Sequence, residues 1–168
     1  MDSRAAVVTL REVDADTVRA ICALRVTPSQ ERLVAPNAIS IAQAYFEPAA
    51  WFRAIYADDE PVGFAMLICQ SRDPARDPAR DSTRATAPET SAICYLWRFM
   101  IAAPHQHQGH GGAALTLLIE HVKTLAGVTT FSLSFVPGDG SPPDFYARFG
   151  FRETGEVDEG EVVMALAL

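Results

Sequence analysis

Short apolar runs rich in β-branched and aromatic residues recur at residues 6–13, 51–56, 61–69, 93–102, 129–136, 151–154 and 162–168, and predict β-strands. Between them the spacing changes to that of helices. Asp14 and Asp16 can each accept from the free N–H groups of a helix reaching about Arg25, with Val18, Ile21, Cys22 and Leu24 on one face. Ser40 is placed to cap a short second helix that runs through Tyr45 and Phe46 and stops at Pro48. A longer helix is predicted over residues 109–125, bearing Ala113, Leu117, Leu118 and Val122, and a short one over 141–149. Residues 27–37 read as an irregular connection, 57–60 as the polar tip of a hairpin and 158–160 as a second turn. The order β-α-α-β-β-β-α-β-α-β-β describes an α/β (α+β) chain built on a mixed sheet.

One stretch breaks this rhythm. Residues 71–91 repeat Asp-Pro-Ala-Arg in tandem, hold almost no large apolar side chain, and cannot offset their ordering entropy by burial. They predict a flexible loop at 71–92, inserted between two strands of a single domain over residues 1–168. A basic anchor for an acidic partner is the functional alternative, which the near-cancelling charges of the stretch disfavour. No run approaches the roughly 18 apolar residues of a membrane span, and Met1-Asp2-Ser3-Arg4 leads directly into a strand without the marks of a secretory signal. A cytoplasmic protein with no membrane partner is expected. Cys22, Cys69 and Cys94 are odd in number and far apart, which predicts buried free thiols in a reducing compartment. Fourteen basic against twenty-one acidic residues give a formal charge of −7, so net charge draws in no nucleic acid and favours a cationic partner.

The chemistry concentrates where the strand 93–102 meets Pro104-His105-Gln106-His107-Gln108-Gly109-His110-Gly111-Gly112 and then a helix. A glycine-rich turn opening a helix presents free N–H groups at the positive end of the helix dipole, a geometry that binds phosphate or pyrophosphate. Side chains at Gly109 and Gly111 would hold ligand oxygens away from the main chain. A P-loop needs a lysine followed by Ser or Thr after its last glycine, and Gly112-Ala113 stands there instead. The looser dinucleotide pattern is met by Gly109, Gly111 and Ala114, but no acidic residue follows near 131–134. What remains is Gln-x-x-Gly-x-Gly, formed by Gln106, Gly109 and Gly111. With Phe145-Tyr146-Ala147-Arg148-Phe149-Gly150-Phe151 one strand and one turn later, this resembles the GNAT superfamily of N-acetyltransferases. Arg32-Leu33-Val34-Ala35-Pro36-Asn37, Leu96-Trp97-Arg98-Phe99-Met100-Ile101 and Gly155-Glu156-Val157 resemble its bacterial diamine (spermine/spermidine) acetyltransferase branch.

The resemblance implies a central, mostly antiparallel twisted sheet of about six to seven strands flanked by about four helices. It implies acetyl-CoA as co-substrate, its pyrophosphate on Gln106, His107, Gln108, Gly109, His110, Gly111 and Gly112, and its pantetheine arm along the main chain of Phe99, Met100 and Ile101. It also implies direct attack by the primary amine of a small cationic acceptor, with spermidine or spermine as the acceptor class and a homodimer as a possible assembly. A protein N-terminus, an amino acid, an aminoglycoside, or a non-catalytic acyl-CoA sensor stay open as alternatives. Two positions depart from the family pattern: Asp139 stands where an asparagine is common, and Gly112 where a basic residue is.

Acetyl transfer needs a neutral amine, a polarised thioester and a proton for the departing thiolate. Tyr146 is the candidate acid, since a phenol with a pKa of about 10 stays protonated at neutral pH; a merely packing tyrosine is the bland reading. Glu31 or Glu47 could accept the ammonium proton or anchor a second amine, and Trp97 and Tyr45 could line the amine site by cation–π contact, against surface and core roles respectively. His105, His107 and His110 straddle a turn with no Cys or carboxylate nearby, so no metal is expected. Glu153, Glu156, Asp158, Glu159 and Glu161 read as a solvated hairpin, or as an acidic border of the acceptor cleft.

Overall fold

The computed structural model describes residues 6–70 and 92–168. Among these, seven strands form one mixed sheet in the order β1-β2-β3-β4-β5-β7-β6: β1 (Val8–Arg11), β2 (Ala50–Ala57), β3 (Glu60–Gln70), β4 (Ala92–Ile101), β5 (Val128–Phe135), β6 (Arg152–Asp158) and β7 (Glu161–Ala167). Every neighbouring pair is antiparallel except β4 and β5, which run parallel and are joined by the helix α3 (His110–Lys123). A parallel pair cannot be closed by a tight turn, and this crossover places α3 on one face of the sheet. Helices α1 (Val18–Ala23) and α2 (Asn37–Phe46) cover the other face, and α4 (Pro143–Ala147) follows β5.

Each face has its own core. On the α3 side, Leu67, Cys94, Leu96, Phe131, Leu133, Phe151 and Met164 pack with Leu115 and Leu118. On the α1/α2 side, Ile21 meets Ala54, Tyr56, Phe64, Met66 and Met100. Full burial of one such Phe or Leu contributes about 1.5–3 kcal/mol, so the sheet is held from both sides. Among the described residues, no helix is long and apolar enough to cross a membrane.

Several expectations from the sequence are corrected. Helix α2 starts at Asn37, three residues before Ser40, because the Asn37 amide donates to the Ile21 carbonyl (2.9 Å) and ties the start of α2 to the end of α1. Ser40 is therefore interior to the helix, its hydroxyl turned back to the Pro36 carbonyl (3.3 Å). Asp14, not Asp16, accepts at the start of the α1 turn, from the N–H groups of Asp16 (3.1 Å) and Thr17 (2.9 Å). The Thr17 hydroxyl also donates to it, and these bonds hold the Asp14 carboxyl below its ordinary pKa. The buried face of α3 is Ala114, Leu115, Leu118 and Val122, so Ala113 faces solvent and Leu117 sits at the edge. Cys69 and Cys94 stand opposite each other on β3 and β4 and form a disulfide, leaving Cys22 as the free cysteine. Their sequence separation hides this pairing, because strand register, not spacing, brings them together. The insertion expected at 71–92 lies outside the described residues except for Ala92, which is the buried first residue of β4.

Gly63 on β3 lets that strand approach β4 closely. A Cβ at this position would collide with the carbonyl oxygen of Met100 and lie 2.9 Å from the Ile101 side chain. Gly63→Ala is expected to destabilise the fold by about 1–3 kcal/mol, the usual cost of overpacking, measured by urea unfolding; an unchanged midpoint would show that β3 can yield there.

Candidate active site

Strands β4 and β5 pair only from Ala92 opposite Val128 to Leu96 opposite Leu133. Beyond that point β5 continues against β7, while β4 runs on to Ile101 beside β3 alone. The sheet therefore opens between its two parallel strands. A bulge marks the point of parting: Leu67 faces Leu96 and Met66 faces Arg98, leaving Trp97 as an extra residue on β4. The opening is a cleft of about 510 Å³, lined among others by Trp97, Phe99, Ile101, Gly111, Tyr146 and Glu161.

The parting leaves main-chain groups of β4 unused. The Ala102 N–H bonds to the Val62 carbonyl (2.8 Å), so by antiparallel alternation Met100 turns its own groups to β3 while those of Phe99 and Ile101 point to the side that β5 has left. Gln106 already engages one of them, donating from Nε2 to the Ile101 carbonyl (2.9 Å) and to Gln30 Oε1 (2.7 Å). Its side chain thus fastens the loop to β4 and to the 3-10 turn Pro28–Gln30.

At one mouth of the cleft stands the start of α3. Gly109 is its N-cap, with φ of 86°, in the left-handed region that glycine enters without strain. The first helical bond runs from Ala113 N–H to the Gly109 carbonyl (3.1 Å), and no side chain caps the turn. The N–H groups of His110, Gly111 and Gly112 therefore precede the helical ladder and face outward at the positive end of the dipole. An added Cβ on Gly109 would meet nothing within 4 Å, so conformation, not space, requires glycine there. At Gly111 and Gly112 it would touch Phe145 and Phe149 of the α4 region at ordinary distances. His110 is buried, whereas His107 and Gln108 are exposed, and the Gln108 amide donates to the Pro104 carbonyl (3.0 Å). His105 turns away to Glu60, at 3.7 Å. Such a row of N–H groups can hold a diphosphate.

Tyr146 occupies the far wall. Its ring packs edge-on against Phe145 (5.2 Å between centroids) and Phe151 (5.9 Å), and the residue is buried yet lines the cleft. Burial pushes its phenol well above the ordinary pKa, and Tyr95 adds to the effect. The site can thus keep a neutral proton donor over a wide pH range.

Of the expected acceptor residues, Glu31 and Trp97 line the cleft, and Tyr45 and Glu47 do not. Tyr45 is 84% exposed on the outer side of α2, against Phe46, and Glu47 folds back to accept from the Ala49 N–H (3.1 Å). Both lie outside the cleft: Tyr45 points to solvent from the last turn of α2, and Glu47 follows the end of that helix. In their place the cleft holds residues that sequence reasoning passed over: Arg32, Tyr95, Arg98 and Ser134. Arg32 reaches across to the Asp139 carbonyl (2.6 Å), so the position noted for departing from the family pattern contributes its main chain to a bridge between the two jaws. Arg98 lies over Trp97 (4.9 Å) and donates to Gln43 of α2 (3.1 Å). Burial lowers its pKa, opposed by Tyr95 and Glu161. One signal was available: Arg98, Ser132 and Ser134 are polar positions inside otherwise apolar strands. Of the acidic run at the chain's end, Glu161 alone borders the cleft, and Glu153, Glu156, Asp158 and Glu159 are exposed. Among the described residues, no group of three or more His, Cys, Asp or Glu side chains is arranged to hold a metal.

A model of the acetyltransferase (GNAT) family matches residues 20–151, which include the parted strands, the α3 loop and Tyr146. The chain belongs to the GNAT family. No curated protein matches it in sequence. Solved structures resemble it in fold. An acetyltransferase from Thermus thermophilus is 17% identical, with a TM-score of 0.65 over 98% of this chain and 99% of that one. The aminoglycoside acetyltransferase AAC(6')-Ib, solved with coenzyme A, is 14% identical, with a TM-score of 0.68 over 96% and 95%. Arabidopsis thaliana Naa50, solved with the bisubstrate analogue CoA-Ac-MVNAL, is 15% identical, with a TM-score of 0.59 over 96% and 99%. These likenesses show a shared fold over nearly the whole chain.

In this GNAT chain the two loop glycines should respond differently to substitution. Gly109→Val forces a β-branched residue to positive φ and is expected to cost about 1–3 kcal/mol. Gly111→Ala, in helical conformation with ordinary contacts, should be neutral or stabilising by up to about 1 kcal/mol. Urea unfolding of both variants distinguishes them, and equal losses would show that crowding, not conformation, selects glycine at the helix entrance.

Proposed function

We propose that the chain transfers the acetyl group of acetyl-CoA to a primary amine of a small cationic acceptor of the spermidine/spermine class, by direct attack in a ternary complex. The observation that carries the reading is a cleft between β4 and β5 with free helix-entrance N–H groups at one mouth and a buried phenol on its wall. Bound acetyl-CoA supplies a thioester and, on its cleavage, a thiolate. The N–H groups of His110, Gly111 and Gly112, with the loop residues Gln106, His107, Gln108 and Gly109, hold the diphosphate. The main-chain groups of Phe99 and the N–H of Ile101, whose carbonyl Gln106 holds, take up the pantetheine arm as a strand partner would, and an N–H there meets the growing charge on the carbonyl oxygen. The Met100 side chain packs beneath them.

Tyr146 gives its proton to the thiolate. Burial, which raises its pKa, keeps the phenol in the neutral form that carries the proton. A domain that only bound acyl-CoA would have no use for a donor so placed. The polyamine class is supported by the carboxylates of Glu31 and Glu161 in the cleft lining and by the net charge of −7.

Mixing the protein with acetyl-CoA and spermine, spermidine, putrescine or amino acids, and following release of free thiol, tests the acceptor class. Saturation by spermidine at low concentration is expected, and turnover of amino acids alone would contradict it. Tyr146→Phe should lower kcat by about 10²–10⁴-fold and leave the acetyl-CoA Kd nearly unchanged. Wild-type turnover at saturating substrates would reject the assignment. Because the phenol's pKa is raised, kcat should not fall between pH 8 and about 10, where an ordinary phenol begins to ionise.

A further inference from the structure

Strand β4 carries no acidic residue, yet a carboxylate reaches its exposed face through two hydroxyls. The Ser134 hydroxyl donates to Glu161 Oε2, and the Tyr95 hydroxyl lies 2.6 Å from Ser134 Oγ. Ser134 has one proton and gives it to Glu161, so its oxygen accepts from Tyr95. The chain of hydrogens therefore points one way, from Tyr95 through Ser134 to Glu161, and leaves a lone pair of the Tyr95 oxygen free. Tyr95, Ser134 and Glu161 all line the cleft. They lie opposite the α3-side core, since Leu96, Leu133 and Val162, their neighbours in sequence, pack into it. Tyr146 belongs to that core and also lines the cleft. The two phenols thus meet at the cleft from opposite faces of the sheet.

We infer that Tyr95, Ser134 and Glu161 form a proton relay that deprotonates the acceptor ammonium, with Tyr95 as the catalytic residue that touches the amine and Ser134 and Glu161 as positioning residues behind it. The inference deepens the acetyl-transfer reading and rests on it. An ammonium N–H donates to the Tyr95 oxygen; its proton passes to Tyr95 as the Tyr95 proton passes to Ser134 and the Ser134 proton to Glu161. Both hydroxyls are restored, Glu161 is left as the neutral acid, and the amine nitrogen has the lone pair that attacks the thioester carbon. The C–S bond breaks, the thiolate takes the Tyr146 proton, and the second amine proton returns to Tyr146. Glu161 later releases its proton to solvent. The charged and titratable groups around the relay are Arg98 on β4, Tyr146 on α4, Asp158 opposite Glu161 on β6, and Glu31 and Arg32 across the cleft.

The test is kcat against pH from 6.5 to 10 for the wild type, Glu161→Gln, Tyr95→Phe, Ser134→Ala and Ser134→Thr, with spermidine, kanamycin and a short peptide with a free N-terminus as acceptors. Calorimetric binding of acetyl-CoA checks that each variant is folded. At pH 7, Glu161→Gln, Tyr95→Phe and Ser134→Ala should each lower kcat about 10²-fold. The deficit should shrink to a few-fold near pH 10, where a large fraction of the amine is neutral in solution, and Ser134→Thr should restore most of the rate. A deficit of the same size at every pH, or wild-type kcat at pH 7, overturns the relay alone. Turnover of kanamycin or peptide but not spermidine counts against the polyamine class while the same pH comparison still judges the relay. Turnover of none by the wild type overturns acetyl transfer to amines and the relay with it.

Discussion

The parting of β4 from β5 after Leu96 and Leu133 is the constraint on which the rest of the molecule turns. Two strands joined by a parallel crossover have no hairpin to hold them in register to the end, and here each finds another partner: β4 keeps to β3, and β5 goes with β7. The unpaired edge of β4 would be costly if buried without a ligand or water. It is instead the wall of a cleft.

The cleft joins two chemically different sides. Toward α3 and α4 lie the helix-entrance N–H groups and the buried phenol of Tyr146, an environment for a diphosphate and a leaving thiolate. Toward α1 and α2 lie Tyr95, Trp97, Arg98, Ser134 and Glu161, a polar and aromatic wall. Arg32, bonded to the Asp139 carbonyl, spans the jaws, and Gln106 ties the loop to both the strand and the 3-10 turn.

The architecture was legible in the sequence because its strands are long and apolar and its α3 loop has a fixed spacing. Gln106, Gly111 and Tyr146 line the cleft, and Gly109 is the N-cap of α3. The acceptor side was not legible, since it is assembled by register. Tyr95 meets Ser134 across a parallel pair 39 residues apart, and Glu161 joins them from the far end of the chain. Residue type suggested Tyr45 and Glu47, and neither lines the cleft. The Cys69–Cys94 pair was hidden likewise, by a long insertion between strands that lie side by side.

A crystal structure with coenzyme A bound tests the central claim most directly. The diphosphate should lie about 2.7–3.2 Å from main-chain N–H groups of the α3 entrance, with the pantetheine arm between the parted strands and bonded to Phe99 or Ile101. A coenzyme seated elsewhere, or β4 and β5 zipped together through Ile101 in its presence, would contradict the account.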